Sequence, residues 1–141
     1  MRPRRGTATV EFALVAPLLL LLLAAVLNYT MLLRAAIAVA DAARAGAQYG
    51  SLSIANASNI SGMQTAALNA VPDVTGATAT ASKYCQCSNG TIVNCAGGTC
   101  TTGKVRTYVQ VIVHATVSSI FSYSQLRFSG VINSTSSMRA Q

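Results

Sequence analysis

The sequence predicts an α+β protein: a long N-terminal transmembrane helix, a short helix, then a small antiparallel sheet with a disulfide-stapled hairpin. Three observations carry that expectation. The apolar residues, 52% of the 141, are concentrated at the N-terminal end, and charged residues are only 9%. From Phe12 to Leu33 no residue is formally charged. After residue 50 the chain becomes rich in Ser and Thr, alternates in short β-like runs, and places all four cysteines between Cys85 and Cys100. Low charge and high apolarity exclude intrinsic disorder, which requires the reverse.

The first element is the helix. Phe12 to Leu33 would span about 33 Å at 1.5 Å per residue, against a hydrocarbon core of about 30 Å. Arg2, Arg4 and Arg5 precede it, and Arg34 and Arg44 follow it. The positive-inside rule puts the first three in the cytoplasm and everything after Leu33 outside. A cleaved secretory signal is the rival reading, with Ala38-Val39-Ala40 as one small-residue pattern. The apolar stretch, however, is longer than the usual 7–15 residues of such a signal.

Past Leu33 the helix has no reason to stop. Ala35 to Tyr49 holds eight Ala and no Pro, with Asp41 and Arg44 spaced to support each other. Gly50-Ser51 is the first plausible end, so the helix is expected over 7–50. Ala38, Ala42 and Gly46 recur every four positions, which would let another helix approach closely or let this one pack on its own domain. Pro17 inside the apolar run removes one backbone donor and marks either a tolerated defect or a bend.

Residues 51–141 form the exported segment. Ser58 to Val71 reads as a short helix, with Ile60, Met63, Ala67, Leu68 and Val71 at 3–4 spacing and Pro72 as its end. Val74 to Tyr84 reads as a weak strand. Ser88-Asn89-Gly90-Thr91 reads as a hairpin turn of type I′. Arg106 to Val117 is the clearest strand: Val109, Val111, Val113, Ala115 and Val117 share one face. Gly130 to Met138 is expected as the last strand. So few large apolar groups make a thin core, which covalent staples must supplement.

Those staples are Cys85, Cys87, Cys95 and Cys100. On the oxidising side of a membrane two disulfides are the default. A metal site is the rival, but the spacing lacks the paired C-x-x-C of common zinc sites. A Cys85–Cys87 bridge is disfavoured, because side chains two apart on a strand do not meet well. That leaves 85–95 with 87–100, or 85–100 with 87–95.

Catalytic constellations lack parts. The chain has one His and three acids. No acid neighbours His114 in sequence, no Gly-x-Ser-x-Gly elbow is present, and Gly97-Gly98 is a turn, not a phosphate loop. No enzyme activity and no cofactor is expected. The net charge of +7 raises the question of nucleic acid, but three of the cations belong to the leader and the rest are scattered, so none is expected. An exported basic segment also suits anionic lipid or polysaccharide.

Glu11 is the residue that the anchor's own stability does not explain. A carboxylate at mid-membrane costs about 2.5–3.5 kcal/mol on insertion scales. Six Leu at about −0.5 kcal/mol each offset one such charge. It is either an acid favoured by the positive end of the helix dipole or a carboxylate awaiting a cation from another subunit.

Gly6-Thr7-Ala8-Thr9-Val10-Glu11-Phe12, after a basic leader, resembles the processing signal of type IV prepilins and pseudopilins. The continuation Ala13-Leu14-Val15-Ala16-Pro17 and the leucines resemble the TadE-like family more narrowly, the pseudopilins or minor pilins of tight-adherence (Flp, type IVb) pili. The hairpin Cys85-Gln86-Cys87-Ser88-Asn89-Gly90 and Tyr108-Val109-Gln110-Val111 resemble that family's distal region more loosely. The resemblance implies a structural protein that assists pilus assembly and so surface adhesion. It implies a leader over 1–6 cut by a prepilin peptidase between Gly6 and Thr7, a helix over 7–50 spanning the bacterial inner membrane at about 12–33, and a periplasmic α+β domain over 51–141. Glu11, Phe12 and Pro17 become assembly residues. Other pilin and pseudopilin subunits, the inner-membrane assembly platform and the bilayer become partners. The rivals are a pseudopilin of a general secretion or competence system and a small membrane-anchored exported binding domain.

Overall fold

The computed structural model describes residues 7–101, 103–117 and 130–141. Arg2, Arg4, Arg5 and Gly6 therefore lie outside the described residues. The elements are α1 (Thr7–Ser51), α2 (Ile54–Ser58), α3 (Ile60–Asn69), β1 (Thr78–Gln86), β2 (Ile92–Val93), β3 (Arg106–Val117) and β4 (Gly130–Arg139). The four strands form one antiparallel sheet in the order β2-β1-β3-β4. The expected fold class is the observed one.

α1 is a single helix of 45 residues, about 67 Å long at 1.5 Å per residue. It contains Pro17. Its expected end at residue 50 falls one residue early, because Gly50 is not a cap. Gly50 is buried against Met63 and Val109, and the helix closes at Ser51, whose Oγ donates to the Gln48 carbonyl at 2.9 Å.

The second half of α1 lies on the sheet and on α3. Its contact side consists of Ala35, Val39, Ala42, Ala43, Gly46, Ala47 and Gly50, all buried. The core continues through Met63 and Ala67 of α3 and Val109, Val111, Val113 and Ala115 of β3. Small residues on α1 are what bring helix and sheet this close. A Cβ on Gly46 would stand 2.8 Å from the Met63 carbonyl oxygen, and 3.0 Å from both Ala67 Cβ and Val111 Cγ1. Ala42 and Gly46 are thus spent on the chain's own domain rather than left for a second helix.

The helix expected over 58–71 is α3, Ile60–Asn69; a second short helix, α2, directly precedes it, so the helical run over 54–69 is interrupted. Asn59 breaks it: its Oδ1 accepts from Gly62 N at 2.9 Å, capping α3, and its Nδ2 donates to the Tyr49 hydroxyl at 3.1 Å. An Asn side chain that can satisfy an orphan helix donor outcompetes continuation of the helix through it. β1 begins at Thr78, not Val74, since Gly76 takes a φ of 75° and turns the chain first. β3 keeps its expected bounds, and four of its five inward residues are buried; Val117, at the end, is half-buried. β4 runs one residue beyond Met138.

The hairpin turn is not type I′. Gly90 N donates to the Cys87 carbonyl and Cys87 N to the Thr91 carbonyl, both at 2.9 Å. Asn89 has a negative φ, and only Gly90 (φ 90°) is left-handed. This is the three-residue loop in which a type I turn is followed by a left-handed glycine. The side chains of Asn89 and Gln86 favour it, accepting from Thr91 N at 3.1 Å and donating to the Gly90 carbonyl at 2.7 Å.

Candidate functional site

The first half of α1 touches almost nothing. From Val10 to Leu33 the side chains are exposed except for the half-buried Ala16, Ala24, Asn28 and Leu32, and Phe12 is 70% accessible. Mean hydropathy in this stretch reaches 2.7, and the helix is long and apolar enough to cross a membrane. Glu11, Phe12 and Pro17 lie on this bare stretch, all exposed. Among the described residues the one ion pair joins Asp41 and Arg44 at 3.4 Å, so Glu11 has no cationic partner within that set. Thr7 is the first residue of the helix.

The cysteines sit at the other end of the molecule. Cys85 bonds Cys95, with Cα atoms 5.1 Å apart, and Cys87 bonds Cys100, with Cα atoms 5.7 Å apart. This decides between the two open pairings. Cys85 and Cys87 leave the end of β1 on its inward side and are buried; Cys95 and Cys100 belong to the loop that returns from β2 to β3. The bridges fasten that loop, which has little apolar material of its own, to the sheet. With all four sulfurs in disulfides, the thiolate ligands that a metal site would use are not available.

His114 is paired across strands. Its Nδ1 lies 2.7 Å from Asn133 Oδ1, so an Nδ1–H donating to that carbonyl oxygen accounts for it structurally. Among the described residues no three of His, Cys, Asp and Glu are grouped as a metal site would need.

One feature the sequence reading missed is a row on the outward face of the sheet. Tyr84 pairs with Tyr108, and Tyr108 with Arg139. The two phenol rings stack, with centroids 5.5 Å apart and planes at 15°. Arg106 stands two residues away on the same face. The signal was the alternation of β3, which leaves Arg106, Tyr108 and Gln110 outward once the valines point in.

A single apolar helix, bare along its first half and packed on an antiparallel sheet along its second, defines an α+β protein whose N-terminal helix is long and apolar enough to cross a membrane. Residues 6–48 match the family model described as TadE-like protein. The matched segment is Gly6 and nearly all of α1, under a third of the chain. That family is structural and associated with Tad pili. No curated protein and no solved structure matches the chain.

Proposed function

We propose that the chain is a processed, pilin-like subunit that assists assembly of a tight-adherence pilus: a pseudopilin or minor pilin rather than an enzyme. The observation that carries this reading is the division of α1. Its packed half is consumed by the exported domain, while its bare half offers about 35 Å of apolar side chains and a single carboxylate to whatever surrounds it. In this reading residues 1–6 are a leader, 7–50 the anchoring helix and 51–141 the exported domain, with Arg2, Arg4 and Arg5 held in the cytoplasm.

A prepilin peptidase would cut between Gly6 and Thr7 and leave an α-amino group on Thr7. Glu11 then stands one helical turn further on. In lipid, a carboxylate gains from a cationic partner, and a neighbouring subunit's new amine is of the right charge. Removing one side of such a buried pair costs about 3–5 kcal/mol, enough to reject a subunit seated in the wrong register. Other subunits and the membrane platform of the pilus are the partners this implies. The bare helix half supplies lateral packing and the stapled domain an outer surface.

The test is mass spectrometry of the membrane-extracted protein together with Glu11→Ala. A mature chain beginning at Thr7 supports the reading, as does an E11A protein that inserts but no longer co-purifies with the other pilus subunits. A chain beginning at Met1 would leave a plain membrane anchor. One beginning near Asp41 would make α1 a secretory signal and withdraw the role of Glu11.

A further inference from the structure

We propose that the outward face of the sheet, around the stacked Tyr84–Tyr108 pair, binds an acidic polysaccharide. Tyr84, Tyr108 and Arg139 form one row across β1, β3 and β4, about 10 Å wide from the strand spacing. Arg106 lies about 6–7 Å along β3 on the same face, and Gln110 the same distance on the other side of Tyr108. Both arginines are exposed, and the tyrosines and Gln110 half-buried. Neither arginine has an ion-pair partner among the described residues.

The place of this row in the fold matters as much as its composition. β3 starts beside the C-terminal end of α1: Gly50 meets Val109, and Gln141 N donates to the Ser51 carbonyl at 3.1 Å. The row is therefore at the end of the domain farthest from the bare half of α1. Leu33 and Ser51 are 18 residues apart, about 27 Å along the helix. A bilayer holding the bare half is out of reach of these arginines, so lipid headgroups are not their ligand.

The charge on this face has one sign. After residue 50 the one acid is Asp73. It lines a groove with Arg34 and Val117, at the opposite end of the sheet. An anionic ligand approaching Arg106 and Arg139 meets no acidic side chain on the face. Sugar rings present apolar C–H faces and polar edges, which suits phenol rings set among amide and guanidinium donors. A polyuronate adds a carboxylate on each residue for the arginines to grip. Nucleic acid is the poorer fit: its phosphates, one negative charge per 1.7 Å of duplex, are met by dense runs of Lys and Arg. The tyrosines stack on each other, leaving no gap between them for a base.

The experiment uses the full chain in phosphatidylcholine nanodiscs, with immobilised alginate as the probe. Dextran serves as the neutral counterpart and single-stranded and duplex DNA as the phosphate counterparts. Alginate is expected to bind and dextran not. The double variant Arg106→Gln, Arg139→Gln should bind alginate more weakly by about tenfold or more, since charge-assisted hydrogen bonds are lost. Tyr108→Ala, checked for intact disulfides and native circular dichroism, should also weaken binding. Lys83→Gln should not, because that ammonium faces the other way and donates to Ser58 Oγ at 2.9 Å. Three results would overturn the proposal: equal alginate binding by the double variant, an equal loss from Lys83→Gln, or tighter binding of DNA than of alginate.

Discussion

The two halves of α1 are one uninterrupted helix built for two surroundings. Between Val10 and Leu33 it carries large aliphatic side chains, nearly all exposed. Between Ala35 and Gly50 it carries alanines and glycines, of which the inward ones are buried. Both belong to the same unbroken helix and both are largely apolar. What differs is side-chain volume. Leucines present a wide apolar surface of the kind that a fluid environment can adapt to. Alanine and glycine let a rigid sheet and α3 come within van der Waals contact, where a packed interior gains its dispersion energy. A hydrophobicity profile alone does not separate these cases, since alanine and leucine both count as apolar. The size of the residues does.

The sharpest way to break this comparison is to apply the same truncation to both sides of it. Met63 is fully buried beneath Gly46 and Gly50. Met63→Ala leaves a cavity and should destabilise the α+β domain by about 2–5 kcal/mol. Leu20 is exposed on the bare half, so Leu20→Ala should change the domain's stability by less than about 0.5 kcal/mol. Urea denaturation of the full chain in detergent micelles, followed by near-ultraviolet circular dichroism, measures both. A comparable loss from Leu20→Ala would mean that the bare half packs on the domain after all.

The next largest effect tests why the packed half is made of small residues. Gly46→Ala gains about 1 kcal/mol of helix propensity. Against that, the new methyl would press on the Met63 carbonyl oxygen at 2.8 Å, a backbone atom held inside α3. Overpacking of this kind costs about 1–3 kcal/mol, so the net expectation is a loss of about 1 kcal/mol, read from the same denaturation curves. An increase in stability would show that α3 can shift away from α1 freely.

The elements that the sequence made legible are those defined by a local period. The apolar run, the alanine-rich continuation and the alternation of Val109, Val111, Val113 and Ala115 each specify their element without outside help. The N-terminal motif Gly6 to Phe12 was readable in the same way, and the family match over residues 6–48 agrees with the resemblance it suggested. What was hidden depended on partners distant in the chain. Gly50 looks like a helix stop until Met63 and Val109 are seen against it. Asn59 lies in an apparently helical run until its side chain caps α3. The cysteine pairing needed the path from β2 to β3. The Tyr84–Tyr108–Arg139 row depends on the register of three strands, and a one-residue slip in any of them would remove it.

The smallest effect concerns the Asp41–Arg44 ion pair on the packed half. Asp41 and Arg44 approach to 3.4 Å, with side chains 60% and 66% exposed. Exposed pairs of this spacing contribute about 0.3–0.5 kcal/mol. Asp is a poorer helix former than Ala by up to about 0.7 kcal/mol. The two terms nearly cancel, with propensity slightly ahead, so Asp41→Ala should leave stability unchanged or raise it by a few tenths of a kcal/mol. Salt should have little effect on the difference between the two proteins, because little of it is electrostatic. A loss above about 1 kcal/mol would exceed what an exposed pair supplies. It would place Asp41 in a contact beyond its own helix, and the solvent-facing side of the packed half would then have a partner that its exposure does not disclose.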